Sequence, residues 1–153
     1  MEKTYSTGLK LKNSLSNQLE AFIPRDGKKV KWYTCGPTVY SNSHMGHARN
    51  YLCNDMIRRV LRDYFGYDVE LVMNITDVED KIIKNSNDQG IEYFEFAQKW
   101  EADFFTDMEN LGVETPDSIT RVTEYIPEII KYIERIVENG YAYESNNSVY
   151  FDI

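Results

Sequence analysis

The sequence WYTCGPTVYSNSHMGHARNY, residues 32–51, determines how the rest of the chain is interpreted. It contains one of the two cysteines, a Gly-Pro turn and both histidines, which stand three residues apart. The alternating stretch KVKWYT predicts a strand over residues 29–34, and helical periodicity predicts a helix over residues 48–65. A strand, a glycine-bearing loop and a helix N-terminus form the local plan of a nucleotide-binding α/β unit, in which phosphates lie against the first N–H groups of the helix.

A second strand is predicted after this helix, at residues 69–73. The strand–helix–strand order predicts a right-handed crossover with parallel strands. Apolar side chains recur every three to four residues along the helix and predict its buried stripe: Ala48, Tyr51, Leu52, Met56, Ile57, Val60, Leu61 and Tyr64. Four arginines are expected mainly on the opposite face: Arg49, Arg58, Arg59 and Arg62.

The second half of the chain is mostly helical in pattern. Helices are predicted at residues 79–87, 93–111 and 124–139, and a hairpin at residues 141–152 around Asn146 and Asn147. The isoleucines and the valine of the last helix are expected to form a buried face: Ile126, Ile129, Ile130, Ile133, Ile136 and Val137. The fold class is therefore α/β, a Rossmann-like parallel sheet followed by helices and a C-terminal hairpin. We predict a nucleotide-binding unit over residues 1–115 and a second unit over residues 116–153.

Composition and charge exclude several classes of protein. The chain has 153 residues, 42% of them hydrophobic, which favours a folded domain. A net charge of −8 is the wrong sign for holding a large nucleic acid mainly on its own surface, although a local pocket can still bind a small polyanion. Two cysteines, no apolar run of membrane-spanning length and no signal-peptide pattern lead us to expect a reducing, cytoplasmic location.

The candidate chemistry lies where the two strands end. His44, Gly46 and His47 are suited to an anion, because imidazoles donate to phosphate oxygens and glycine permits close approach, although one histidine could simply cap the helix. Cys35 could bind zinc as a thiolate or be a small buried side chain, and Cys53 is assigned to the second alternative. Thr76 offers a hydroxyl, and the following aspartate offers an acceptor for an amino group, although either could cap the next helix.

Two long blocks, CGPTVYSNSHMGHARNY and GYDVELVMNITDVEDKIIK, resemble the catalytic domain of cysteinyl-tRNA synthetases, a family of class I aminoacyl-tRNA synthetases. HMGH resembles the HIGH motif of that class. The resemblance continues through TEYIPEIIKYIERIVENGYAYE and is closer to eukaryotic enzymes than to bacterial ones. It implies an enzyme that activates L-cysteine with ATP, with Mg²⁺ accompanying the nucleotide, and transfers cysteine to tRNA(Cys).

The resemblance also implies roles for individual residues. Cys35 matches a zinc ligand, and Gly36 and Thr76 match residues that line the cysteine site. ATP contacts are implied for one set of residues: Pro37, Thr38, His44, Gly46 and His47. The two histidines of this set are the catalytic candidates. The KIIK segment of the family is matched by Lys81, Ile82, Ile83 and Lys84.

The family's other zinc ligands, its KMSKS loop and its anticodon-binding domain have no counterpart in these residues. We therefore expect the chain to be part of a longer protein, whether a cloned piece, a truncated product or one part of a split protein. Alone, it is expected to contact tRNA weakly or not at all and to be inactive. Two alternatives stay open: a cysteine ligase of the mycothiol pathway and a non-catalytic nucleotide-binding fragment.

Overall fold

A computed structural model describes residues 5–152 of the chain. Its strands and helices follow in this order: β1 (Lys10–Lys12), β2 (Leu19–Ala21), β3 (Lys29–Thr34), α1 (Met45–Arg59), β4 (Asp68–Ile75), α2 (Asp80–Gln89), α3 (Tyr93–Asn110), β5 (Ser118–Arg121), α4 (Ile126–Glu138), β6 (Ala142–Ser145) and β7 (Ser148–Phe151). A π-helical turn, Val60–Tyr64, extends α1, and a 3₁₀ turn, Val122–Tyr125, precedes α4. Within the described residues, no helix is both long and apolar enough to cross a membrane.

Three parallel strands in the order β3-β4-β5 form the sheet that carries the site. β3 and β4 pair from Lys29 opposite Asp68 to Thr34 opposite Met73, which confirms the predicted parallel pair. The third strand, β5, was not predicted, because four residues are too few to show a clear alternation. β5 lies just after residue 115, and the domain boundary proposed there stays a prediction.

Burial alternates along β4, as expected for a strand with one face against a core. Met73 and Ile75 pack in one cluster with side chains of α3, including Phe104 and Met108. A second cluster joins Val30 and Val69 to the residues that follow α1, Leu61 and Tyr67. Both clusters hold the strands so that β3 and β4 end side by side.

α1 begins three residues earlier than predicted, at Met45, because His44 supplies its N-terminal cap. The chain leaves the helix through the π-helical turn and then Gly66, whose φ of 69° suits glycine. The start of the helix therefore lies inside the HMGH motif. This places the first N–H groups of α1 beside the two histidines.

The predicted buried stripe of α1 is only partly correct: Tyr51 and Leu61 are buried, but four of its members are exposed, namely Met56, Ile57, Val60 and Tyr64. The other buried side chains of α1 are polar, Asp55 and Arg58. Arg58, expected on the outer face, donates to the Thr115 carbonyl at 2.9 Å and to the Asp117 carboxylate at 2.8 Å. The helix thus packs through paired polar groups against the connection that leads into β5.

The predicted buried face of α4 is also wrong, since none of its residues is buried. Ile126, Ile130 and Ile133 are exposed, because no described element covers this side of the helix. The hairpin after α4 is confirmed: β6 and β7 pair antiparallel. Asn146 and Asn147 both have positive φ, as a two-residue turn of this kind requires.

Candidate active site

His44 ends the loop after β3 and caps α1. Its backbone is extended (φ −131°, ψ 173°), and its Nδ1 accepts the Gly46 N–H at 3.1 Å. His44 therefore caps the helix, which is the alternative role that the sequence left open for one histidine. Because Nδ1 is an acceptor, the neutral ring carries its proton on Nε2.

His47 lies one turn into α1 and completes a reciprocal cap. Its Nδ1 accepts the His44 N–H at 3.4 Å, and the two imidazole rings stack with their centroids 3.9 Å apart. Partial burial, together with the neighbouring His44, lowers the pKa of His47 below its usual 6.5. His47 is thus neutral near pH 7. Because both Nδ1 atoms accept hydrogen bonds, Nε2–H is left on each ring as a donor that an anion can use together with the helix N-terminus.

Gly46 makes room for the His44 ring at the start of the helix. A Cβ on Gly46 would lie 2.8 Å from Cε1 of His44, closer than side-chain atoms normally come. The lack of a side chain therefore lets the His44 ring fold over the first turn.

The ends of β3 and β4 are joined by further pairing, as the sequence predicted for parallel neighbours. The Thr76 N–H donates to the Pro37 carbonyl at 3.0 Å, and the Val39 N–H donates to the Thr76 carbonyl at 3.2 Å. Gly36 lies against the backbone of β4 so closely that a Cβ there would overlap the carbonyl oxygen of Asn74. The structure thus brings together the two residues predicted for cysteine binding, Gly36 and Thr76.

Tyr51 connects the histidine motif to this strand edge. Its ring centroid lies 6.4 Å from that of His47, and its hydroxyl donates to the Cys35 carbonyl at 3.3 Å. Burial, with a smaller contribution from Cys35, raises the pKa of Tyr51 to about 12. The phenol therefore stays protonated and can donate at any physiological pH.

Asp77 does not take the role of an acceptor for an amino group. It is buried, and its two carboxylate oxygens accept from the N–H and the hydroxyl of Thr123. Glu79, and neither Thr76 nor Asp77, caps α2, since its carboxylate accepts the Lys81 N–H at 2.9 Å. Asp77 therefore links the end of β4 to the turn after β5.

The KIIK residues lie in the first turns of α2. Ile82 is completely buried in the core, whereas Ile83 is 42% exposed, and Lys81 and Lys84 are exposed. The Lys81 ammonium lies 5.0 Å from the centroid of the Tyr40 ring, in the loop that leads to the histidines. This segment thus anchors α2 and places one lysine next to the same loop.

The donor atoms for a metal are few at this site. Cys35 is exposed at the end of β3, which suits a ligand, but the described residues contain no group of three or more His, Cys, Asp or Glu side chains placed to hold a metal. A tetrahedral zinc site takes about four ligands, so Cys35 fits as one ligand and the residues at hand do not form a site. Cys53, which we predicted to be buried, is exposed on α1.

Two residues of the site were missed in the sequence. Tyr51 was assigned to a helix stripe, and Asn74, directly after the second predicted strand, was given no role. The Asn74 side-chain oxygen accepts from the Gly36 N–H at 2.9 Å and from the Tyr33 hydroxyl at 2.8 Å. The sequence does contain a signal for Asn74, namely a polar residue inside an apolar strand, but it does not show the partners.

A pH dependence follows from the histidine cap. The folded protein holds His47 at a pKa below 6.5, so the unfolded chain binds more protons as the pH falls through 6.5. The stability contributed by the neutral His47 is therefore full above pH 6.5 and declines below it. We expect the free energy of unfolding of the wild type, minus that of His47→Asn, to shrink between pH 7.5 and pH 5.5 in urea titrations. A difference that is constant or grows over this range would contradict the neutral cap.

Comparison with a solved structure shows a likeness of fold. The structure superposes on a LeuRS chain from a LeuRS–tRNA–LeuAMS complex of Agrobacterium radiobacter K84 with a TM-score of 0.61. The match covers 74% of this chain and 15% of the LeuRS chain, at 21% sequence identity. At that identity the likeness shows the fold alone, which is that of a class I synthetase.

The family model described as tRNA synthetases class I (C) catalytic domain matches residues 21–153, so the chain belongs to the cysteinyl-tRNA synthetase family. The chain is 50% identical to the cytoplasmic cysteine–tRNA ligase of Dictyostelium discoideum, covering 98% of this chain and 23% of that protein. It is 51% identical to the cysteine–tRNA ligase of Encephalitozoon cuniculi, with coverages of 100% and 31%. The enzyme of Methanococcus maripaludis is 47% identical, with coverages of 95% and 30%. The chain thus spans between 23% and 31% of the length of these relatives.

Proposed function

We propose that this protein is a cysteine–tRNA ligase, in which the described residues form the ATP-binding and cysteine-binding edge of the catalytic domain. The observation that carries the proposal is the pair of stacked imidazoles at the N-terminus of α1, next to the joined ends of β3 and β4. All three of the relatives named above are cysteine–tRNA ligases, which supports this function over a ligase of the mycothiol pathway. With its cytoplasmic relative as a guide, we place the protein in the cytoplasm.

The proposed reaction has two steps and needs no protein nucleophile. The carboxylate of L-cysteine attacks the α-phosphorus of ATP, the bond to the bridging oxygen breaks, and pyrophosphate leaves with Mg²⁺ as its counterion. A terminal hydroxyl of tRNA(Cys) then attacks the carbonyl of cysteinyl-adenylate, and AMP leaves. The protein contributes by positioning the reactants and by stabilising the developing negative charge.

Each site residue has a proposed part in binding. The Nε2–H groups of His44 and His47 donate to ATP phosphate oxygens, and Gly46 lets the phosphates approach the helix start. Pro37 and Thr38, in the loop paired with β4, line the same nucleotide. On the cysteine side, we assign the amino acid to the edge formed by Gly36 and Thr76.

Zinc, where the family uses it, would take Cys35 as one ligand and would distinguish a thiol from a hydroxyl, since a soft thiolate is the better ligand. The proposed roles of the other site residues do not depend on zinc. The Lys81, Ile82, Ile83 and Lys84 segment supports the site from α2, through the buried Ile82 and through Lys81 against Tyr40. tRNA contacts are assigned mainly to parts of the protein outside these residues, in keeping with the acidic charge of the chain.

The proposal predicts weak ATP binding by this chain, with a dissociation constant on the order of 1 mM, since only one edge of the pocket is present. His44→Ala and His47→Ala should each weaken binding about tenfold in calorimetry, because each loses a phosphate donor. His44→Asn separates the two roles of His44: asparagine retains an acceptor for the Gly46 N–H but lacks the Nε2–H donor, so it should keep the helix cap and still lose affinity.

Arg135→Ala provides the matched control, since Arg135 is an exposed cation of α4 outside the proposed site. It should bind ATP as the wild type does. Equal affinities for the wild type and both histidine-to-alanine variants would place the nucleotide elsewhere. Full affinity in His44→Asn would show that His44 acts only as a cap.

A further inference from the structure

The peptide group between Cys35 and Gly36 is hydrogen-bonded on both sides. Its carbonyl accepts the Tyr51 hydroxyl at 3.3 Å, and its N–H donates to Oδ1 of Asn74 at 2.9 Å. Tyr51 belongs to α1, and Asn74 belongs to β4. A helix and a strand therefore fix the orientation of this one peptide group together.

The orientation of the Asn74 amide is determined by its partners. A backbone N–H can only donate, so the atom that faces Gly36 is the oxygen, and the same oxygen accepts the Tyr33 hydroxyl at 2.8 Å. The amide nitrogen then faces the Thr76 hydroxyl, at 3.4 Å. One side chain thus reaches both Gly36 and Thr76, on either side of the strand edge.

The hydrogen bond between Asn74 and the Gly36 N–H lies in a tightly packed place. Gly36 is packed directly against the backbone of β4, so the peptide group and the Asn74 side chain have no room to separate without moving the strand end. Removing the amide would leave the Gly36 N–H without this acceptor and the Thr76 hydroxyl without this donor. The Gly36 N–H would then lose its acceptor within a tightly packed strand edge, and the Thr76 hydroxyl would be free to rotate.

We propose that Asn74 is a positioning residue for the amino-acid site: it holds the Gly36 peptide group and the Thr76 hydroxyl in the relative orientation that receives L-cysteine. This inference rests on the proposed function, which assigns cysteine to Gly36 and Thr76. Asn74 acts through these two residues and is given no contact with the substrate. Its loss should therefore affect cysteine more than ATP, which binds at the start of α1.

Three variants of the natural gene product that carries this sequence test the inference in cysteine-dependent ATP–pyrophosphate exchange. Asn74→Ala should raise the KM for cysteine about tenfold and change the KM for ATP less than about twofold. Asn74→Asp retains the acceptor for the Gly36 N–H and should recover most of the loss. Tyr33→Phe removes only the second donor to the same oxygen and should behave as the wild type.

A second readout measures the geometry without catalysis. Hydrogen–deuterium exchange of the peptide containing Gly36 should be faster in Asn74→Ala, and near the wild-type rate in Asn74→Asp and Tyr33→Phe. An unchanged KM for cysteine in Asn74→Ala, or equal increases in both KM values, would overturn the positioning role even if the wild type is active. A wild type without cysteine-dependent exchange would overturn the proposed function, and this inference with it.

Discussion

Replacing Gly36 with alanine is expected to destabilise the folded protein by about 3 kcal/mol, measured as the free energy of unfolding in urea. The added Cβ would overlap the carbonyl oxygen of Asn74 and lie 2.9 Å from Cγ of Met73. The first of these neighbours is backbone in the centre of the sheet, so the strand itself would have to move. The change should also disturb the amino-acid edge of the site, since Gly36 connects β3 to it.

Gly46→Ala is the matched control for this prediction. Its Cβ would meet the His44 ring, which is the end of a flexible side chain and can rotate away. We expect a change in unfolding free energy within about 1 kcal/mol, because alanine also favours the helix, together with weaker ATP binding as the ring leaves its stacked position. Equal stability of Gly36→Ala and the wild type would contradict the close packing of β3 and β4.

The second large effect is the loss of aminoacylation activity expected when the 153 residues are assayed on their own. We expect them to form no cysteinyl-tRNA and to hold no stoichiometric zinc. Cys35 would supply one zinc ligand of about four, and the family resemblance places the others, and the KMSKS loop, later in the family's longer chains. A single contact to the transition state is often worth on the order of 3 kcal/mol, or about a hundredfold in rate, so several losses together should leave no measurable activity.

Metal analysis of the purified chain and aminoacylation with cysteine, ATP and matching tRNA test this expectation. The natural gene product, assayed in parallel under the same conditions, is the control that shows the tRNA and the assay to be competent. One zinc per chain together with robust charging by the 153 residues would contradict the expectation. It would also mean that Cys35 has metal-binding partners other than those we infer.

The parts of the fold that were predicted correctly depend on local chemistry. β3 shows alternation, the hairpin has two asparagines at its turn, and Gly66 ends the helical segment. The pairing of β3 with β4 followed from the helix between them, because such crossovers join parallel strands. None of these inferences requires knowledge of a distant residue.

The errors concern partners that lie far apart in the sequence. Arg58 is buried because it meets Asp117, 59 residues further along the chain, and no local pattern in α1 indicates that pairing. The apolar positions of α1 and α4 do have helical spacing, but spacing does not show which face another element covers. An apolar stripe on a helix becomes a buried face only where another element of the protein packs against it.

At the candidate site, too, features set by local sequence could be predicted, whereas contacts between distant residues could not. The helix start at HMGH and the adjacency of the two strand ends could be predicted, because both follow from motif order and topology. The stacking of the two imidazoles and the three partners of Asn74 could not, because they depend on side-chain directions that only the folded chain defines. The motif therefore indicates where the candidate site lies, and the structure supplies the hydrogen bonds there.

The most direct test of the proposed function is ATP–pyrophosphate exchange by the natural gene product, measured with cysteine, serine and leucine separately. We expect exchange with cysteine alone, and a loss of at least about a hundredfold in kcat/KM when both His44 and His47 are replaced by alanine. Exchange that depends on serine or leucine, or cysteine-dependent exchange that the double replacement leaves unchanged, would contradict a cysteine-activating site at the start of α1.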